Sequence, residues 1–272
     1  MLKRIVGLIL IIAIGLTLYA FLVEPRWVEI ARITIETEKI PKEARIKIIQ
    51  ISDLHLHEIG DKEKYVLKAI EELNPDLVVI TGDLIDDSKN ADKLYSFLRN
   101  ISQVVKKVYI VLGNWDYWST VDLNDYVQNL ENLGAIVLIN SNDLVMKDKF
   151  CINIVGVDDP YTGRADLEKA LMGIKPTCYT ILLAHSPQII DEAVEKNVDL
   201  ILTGHTHGGQ VVIPFYGPLF LPLEKKYRKY SSGLFKVGNS TLYVNRGLGT
   251  SIIPVRLFCR PEITLIEIIG KR

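Results

Sequence analysis

Five short segments of the chain carry side chains that bind metal ions: Asp53-Leu54-His55, Gly82-Asp83, Gly113-Asn114, Ala184-His185-Ser186 and Gly204-His205-Thr206-His207. Each follows an apolar, β-branched run that reads as a buried strand, at 46–51, 77–80, 108–112, 180–183 and 200–202. Side chains just past the ends of neighbouring strands in a layered α/β fold meet in one crevice. Three acid or amide groups and four imidazoles are too many ligands for one ion. They fit two divalent ions sharing a carboxylate, an arrangement that activates water against phosphorus esters. Oxygen donors mixed with imidazole, with no thiolate to force a choice, suit Mn, Fe or Zn. Any one of these motifs is weak, because a Gly-Asp after a strand is often only a turn. Their joint occurrence carries the reading, since four of the five histidines fall at these strand ends.

The elements that must position these groups follow in order. Trp27–Lys39 alternates and reads as one or two strands. From Arg45 onward, strand and helix patterns take turns, with amphipathic helices at Glu63–Leu73, Ala91–Ile101 and Val121–Leu133. The first stops before Pro75, and the last ends at Gly134. Ala135–Lys147 and Phe150–Val157 read as consecutive strands, and Asp166–Met172 and Gln188–Asn197 as helices. After Gln210 only strand candidates remain, at Val211–Ile213, Ser232–Val237, Thr241–Asn245 and Glu262–Ile268. Alternation followed by a strand-rich end predicts two packed, mostly mixed sheets with helices outside, a four-layer αββα sandwich.

The chain has 272 residues, 48% hydrophobic and 24% charged, with a net charge of -1. That balance gives no general attraction to nucleic acid, and no specific nucleic-acid partner is expected. The one dense basic cluster is Lys225-Lys226-Tyr227-Arg228-Lys229, which a solvated loop explains. Ile5 to Val23 is an uninterrupted apolar stretch, long enough at ~1.5 Å per residue to cross a ~30 Å hydrocarbon core. It lacks a convincing small-x-small cleavage site, so an anchor over residues 1–25 and a catalytic domain over 26–272 are expected. Lys3 and Arg4 ahead of the stretch argue that the domain lies on the extracytoplasmic side. Cys151, Cys178 and Cys259 form no metal pair and read as buried free thiols, with one disulfide as the alternative for an exported domain.

With these residues in place, the chain resembles the calcineurin-like metallophosphoesterase superfamily from Lys47 to Ile268. The stretches 204–214, 243–249 and 256–263 further resemble a bacterial subgroup of membrane-anchored phosphodiesterases. The resemblance implies that Asp53, His55 and His207 hold one metal, that Asn114, His185 and His205 hold the other, and that Asp83 bridges them. It implies hydrolysis of a phosphodiester or pyrophosphate bond, on a lipid or cell-envelope substrate for an anchored enzyme. Some relatives cleave the pyrophosphate of UDP-diacylglucosamine, which would require a cytoplasmic domain. A non-catalytic metal-binding scaffold is the alternative of another class.

One departure from the family pattern matters chemically. Where the superfamily has a histidine after the metal-binding Asn, this chain has Trp115, whose indole donates a hydrogen bond but gives up no proton near neutral pH. His57 is the candidate replacement proton donor, against a solvated rim histidine. Asp116 is expected to orient His185, or else to cap the helix that follows. Arg246 is expected to reach a substrate phosphate with its planar fork, or else to form a surface ion pair. Asp158-Asp159-Pro160 reads as an architectural turn, and the proline-broken apolar run Pro214–Pro222 as a lip over the metals or a packed loop.

Overall fold

The computed structural model describes residues 1–271. Helix α1 (Leu2–Leu18) continues through a π turn at Tyr19–Val23 and a 3-10 turn at Glu24–Arg26, giving one apolar rod long enough to cross a membrane. There follow β1 (Glu29–Thr37), β2 (Arg45–Ile51), α2 (Asp61–Leu73), β3 (Leu77–Thr81), α3 (Ala91–Val104), β4 (Val108–Val111), α4 (Asn114–Trp118), α5 (Leu123–Asn132) and β5 (Ala135–Val137). The second half contains β6 (Ser141–Lys147), β7 (Phe150–Gly156), α6 (Leu167–Ala170), β8 (Tyr179–Leu183), α7 (Ile190–Glu195) and β9 (Leu200–Thr203). It closes with the small hairpin β10 (Val212–Ile213) and β11 (Gly217–Pro218), then β12 (Gly233–Val237), β13 (Ser240–Val244) and β14 (Glu262–Gly270).

The strands form two six-stranded mixed sheets, ordered β1-β14-β2-β3-β4-β5 and β12-β13-β9-β8-β7-β6. Period-two alternation within each buried strand divides its side chains between two cores. Ile46, Ile48, Val79, Tyr109 and Val111 of the first sheet meet Ile152, Ile181, Leu183, Leu200 and Leu202 of the second. On the outer faces, Ile49, Ile51, Val78 and Ile80 pack against α2, α3 and α5 through Val66, Ile70, Phe97 and Tyr126. Leu182, Ala184 and Ile201 pack against α6 and α7 through Leu167, Ile190 and Ala193. Burying one such side chain stabilises the fold by about 1.5–3 kcal/mol. The expected four-layer αββα arrangement is therefore present.

Gln50 is one of the polar side chains buried among the strands. Its amide donates to Thr81 Oγ1 at 3.1 Å and to the Thr203 carbonyl at 3.0 Å, tying the ends of β2, β3 and β9 together. Those are the strand ends from which the metal-seeking residues emerge.

Several expectations change in detail. The stretch Trp27–Lys39 is one strand, β1, parallel to β14 at the sheet edge. Ala135–Lys147 is not one strand, because the chain leaves the first sheet after Val137 and joins the second at Ser141. The helix expected over Asp166–Met172 is a single turn, capped by Asp166 accepting from the Lys169 amide.

The cysteines require a correction. Cys151 and Cys178 are joined in a disulfide, and only Cys259 is a buried free thiol. The cause is register: β7 and β8 run parallel with Ile152 opposite Tyr179, so the residues just before them stand side by side, Cα to Cα 5.1 Å. The bridge closes a loop with a sequence separation of 27, which reduces the entropy of the unfolded chain and stabilises the fold by about 3.5 kcal/mol. Replacing both cysteines with alanine should lower the denaturation midpoint accordingly, and an unchanged midpoint would show that the bridge contributes nothing.

Candidate metal centre

The site is assembled from loops leaving the same end of both sheets. Asp53 and His55 follow β2, Asp83 follows β3, Asn114 opens α4 after β4, His185 follows β8, and His205 and His207 follow β9. The backbone must double back at once to turn these side chains inward. Asp53, His55, Asp83, His205 and His207 accordingly all have left-handed φ values between 39° and 68°. Each such non-glycine residue costs on the order of 1–2 kcal/mol and persists only where neighbours enforce it. Here the neighbours are backbone bonds between loops: the Asp53 amide donates to Gly82, the His55 amide to Asp83, and the Gly249 amide to Asp53. Two glycines make the approach possible. A Cβ on Gly82 (φ 85°) would stand 2.6 Å from His185 Nδ1, and one on Gly204 would stand 1.8 Å from Ser52 Oγ.

The ligand atoms gather into two groups that share one carboxylate. Asp53, His55, Asp83 and His207 offer atoms all within 4.8 Å of one another, and so do Asp83, His185 and His205. Asp83 Oδ2 lies 3.1 Å from His185 Nε2 and 3.6 Å from His55 Nε2. Between rings, His55 Nε2 faces His207 Nε2 at 3.2 Å and His205 Nδ1 faces His185 Nε2 at 3.1 Å. Outer contacts fix two of the rings. His185 Nδ1 donates to the Thr81 carbonyl at 2.8 Å and His205 Nε2 to the Pro222 carbonyl at 3.1 Å, leaving the opposite nitrogens free as ligands.

These residues fit a pair of divalent cations. Asn114 Oδ1, His55 Nδ1 and His207 Nδ1 are buried without a hydrogen-bond partner, against the rule that buried polar atoms are satisfied. Imidazole nitrogens 3.2 Å apart face each other with one lone pair too many unless a cation or a proton lies between them. The donors are carboxylate, amide and imidazole throughout, the set that suits Mn, Fe or Zn.

Burial dominates the titration of the site. It holds His55 down at about 4, His205 at about 3 and His207 well below its ordinary value, so these three rings are neutral. Burial also pushes Asp53 up to about 7, with the Asp83 charge adding to the effect. His185 is the exception. Burial opposes its charge, yet the Asp83 and Asp53 carboxylates beside it raise it to about 10. Asp83 itself is held below the ordinary carboxylate range by His185, although burial pushes the other way.

The remaining expected residues are placed differently. Asp116 does not orient His185: among the described residues its carboxylate accepts from the amides of Asp83, Leu84 and Gly113 and from the Tyr126 hydroxyl. It thus pins the loop that carries Asp83 to the start of α4, while the His185 Nδ1 proton goes to the Thr81 carbonyl. Nor does it cap α5, whose first amides are held by Asp122. Arg246 is engaged by Glu262 through Nε and by Glu29 through Nη2, at 3.2 Å, so its fork is bound within the domain instead of being aimed at the centre. His57 stands 61% exposed outside the ligand cluster, with Nε2 3.0 Å from Asp86.

Arg256 is a residue that sequence reasoning passed over. It is fully buried, and its guanidinium donates to the carbonyls of Arg246, Gly247, Gly249 and Cys259. A buried arginine amid carbonyls holds a loop in shape, and here the loop is the one whose Gly249 amide bonds to Asp53. Its only trace in the sequence is its position in a Gly-rich, Pro-flanked stretch.

Two cavities border the ligand residues. One, about 450 Å³, has Asp83, Asn114, His205 and His207 in its floor and Trp115, Phe220 and Ile253 among its walls. The other, about 840 Å³, reaches His55 past His57, Lys62, Arg26 and Arg260.

A proton on His185 competes with a cation for Nε2. With His185 at about 10, cation binding at neutral pH must displace that proton, so binding strengthens as pH rises and weakens as pH falls. Calorimetric titration with Mn²⁺ at pH 7, in buffers of differing ionisation heat, should show release of at least about one proton per chain, with Asp53 adding to the share from His185. Heats independent of the buffer would refute this account of His185.

Residues 46–209 match the model of the calcineurin-like phosphoesterase family. The chain is 34% identical over 259 residues to the metallophosphoesterase YkuE of Bacillus subtilis (strain 168), covering 92% of this chain and 88% of that one. It is 31% identical over 260 residues to the phosphodiesterase YaeI of Escherichia coli (strain K12), covering 92% of each. It is also 33% identical over 279 residues to a Danio rerio transmembrane protein with a metallophosphoesterase domain, covering 95% of this chain and 61% of that one. With two ligand groups joined at Asp83 and this likeness along nearly its whole length, the chain belongs to the calcineurin-like phosphoesterase family.

Proposed function

We propose that the protein is a membrane-tethered, dinuclear-metal phosphodiesterase that cleaves a phosphodiester or pyrophosphate bond of a lipid or cell-envelope substrate on the extracytoplasmic side. The observation that carries the reading is the sharing of Asp83 between two groups of ligands. Asp53, His55 and His207 would hold one cation, and Asn114, His185 and His205 the other. Cations so bound acidify water and neutralise charge on a phosphoryl group. The protein supplies the rest. Asp83 is kept anionic by the Trp115 amide, which donates to Oδ1 at 2.8 Å, and by His185. Thr81 and Pro222 hold two imidazoles at fixed angles.

Membrane tethering is supported by the apolar rod Leu2–Arg26 and by the name of the Danio rerio relative. The Cys151–Cys178 disulfide supports the extracytoplasmic side, since such bonds persist in oxidising compartments, and Lys3 and Arg4 ahead of the rod argue the same way. It weighs against a cytoplasmic pyrophosphatase.

Full-length protein supplied with Mn²⁺ should hydrolyse bis-p-nitrophenyl phosphate. Asp83→Asn should lower turnover at least about a hundredfold with the circular dichroism unchanged. Wild-type protein inert under a range of divalent metals would leave only a metal-binding scaffold. His57 lines the larger cavity together with the ligand His55, so we assign it proton delivery to leaving groups that exit there. His57→Ala should then slow alkyl phosphodiesters by about a hundredfold while leaving nitrophenyl esters nearly unchanged. Equal losses on both substrates would remove that role.

A further inference from the structure

The wall of the smaller cavity continues onto the outside of the molecule as an apolar ledge. Phe215, Tyr216, Leu219 and Phe220 of the β10–β11 hairpin are exposed, and so are Ile252 and Ile253 of the following loop. Phe215 and Ile252 are almost wholly so, at 111% and 86%. Large apolar side chains grouped in this way mark a surface built to be covered.

Hydrogen bonds fuse hairpin and loop into one body. The Gln210 amide group donates to the carbonyls of Ser251 and Ile253, the Ser251 amide donates back to Gln210 Oε1 at 2.7 Å, and the Val212 amide donates to Leu257. Within the hairpin, the amides of Tyr216 and Leu219 donate to Ile213 and Val211. Internally satisfied amides lower the penalty for entering an apolar medium.

The same body is bonded to the end of the apolar rod. The Arg256 amide donates to the Ala20 carbonyl at 3.0 Å, and the Cys259 amide donates to the buried Glu24 carboxylate. Phe21 of the rod and Pro254 of the loop line one cavity. At this level Trp27 is half exposed with the Arg260 guanidinium 4.1 Å from its ring centre, and Arg26 is exposed beside it. Tryptophan with arginine at the end of an apolar span marks the headgroup layer.

Resting on the reading that α1 spans the bilayer, we propose that the Val211–Phe220 hairpin and the Ser251–Pro254 loop dip into the leaflet from which α1 emerges. The substrate is then an amphiphilic phosphoester whose acyl portion enters sideways along Leu219, Phe220, Ile252 and Ile253 to reach Asp83 and His207. Its occupant is the lipid surface because the span fixes these residues at bilayer height, and the ledge and the cavity wall share the same side chains. Small water-soluble esters carry no acyl portion and so gain nothing from the ledge.

The test uses full-length protein in lipid nanodiscs. Because Cys259 is buried and the other two cysteines are bonded, a cysteine introduced by Phe215→Cys, Ile252→Cys or Glu195→Cys takes a fluorescent label alone. Glu195 lies at the far end of α7, away from the ligand-bearing strand ends. Lipids carrying a quencher near the headgroup should quench the labels at 215 and 252 at least about threefold more than the label at 195. Equal quenching at all three would overturn the proposal. Protection of the label at 215 that appears in detergent only as protein concentration rises would assign the ledge to a second copy and overturn it as well. In activity, Phe215→Asp should slow a phosphodiester carried on a bilayer lipid roughly tenfold and spare bis-p-nitrophenyl phosphate; equal loss on both overturns the lateral route. Strong quenching at 215 and 252 in a wild-type protein that hydrolyses neither ester would uphold the membrane surface while removing the phosphodiesterase reading.

Discussion

Asp53 and Asp83 are two carboxylates buried in one site, and the free energy of that burial governs the rest of the structure. Moving an ion out of water costs several kcal/mol even after relaxation, so each carboxylate must be answered by positive charge or by N–H groups. The protein supplies part of the answer with its backbone: the His205 amide donates to Asp53 and the Trp115 amide to Asp83. Aiming amides and side chains into one small volume requires loops that reverse within a residue of each strand. Hence the run of left-handed residues, the glycines that clear space for His185 and Ser52, and the Asp116 carboxylate clasping three amides of two loops. Cations supply what is still missing.

That dependence explains which parts of the site were legible in the sequence. Each ligand follows an apolar strand run, and the period-two alternation of those runs follows from the two cores they face, so the gathering of ligands could be foreseen. What was not legible depended on register or on distance in space. The Cys151–Cys178 bond follows from Ile152 lying opposite Tyr179 in parallel strands, which no local pattern encodes. Asp116, two residues from a ligand, suggested contact with an imidazole, yet α4 turns it back toward amides 32 and 33 residues away. Two arginines ten residues apart look alike in sequence. Arg246 finds Glu262 and Glu29, whereas Arg256 is enclosed among carbonyls, and only the folding of the 245–262 loop tells them apart.

Electrostatics and topology also separate two approaches to the centre. Charged side chains such as Lys62 and Arg260 line the larger cavity beside apolar ones such as Phe21 and Trp27, whereas Trp115, Phe220 and Ile253 stand over the ligand residues in the smaller. Trp115 lines the smaller cavity, where its indole adds apolar surface and gives up no proton near neutral pH.

Because Ala20 and Glu24 are bonded to the residues around Arg256 and Cys259, and the Cys259 thiol donates to the His207 carbonyl, no hinge separates the rod from the centre. The depth of the reacting groups is thereby a fixed offset from the hydrophobic length of the rod. In a bilayer spanned by the rod, a change of thickness or of tilt would move His207 by a corresponding distance, so membrane thickness would become a physical variable acting on the centre.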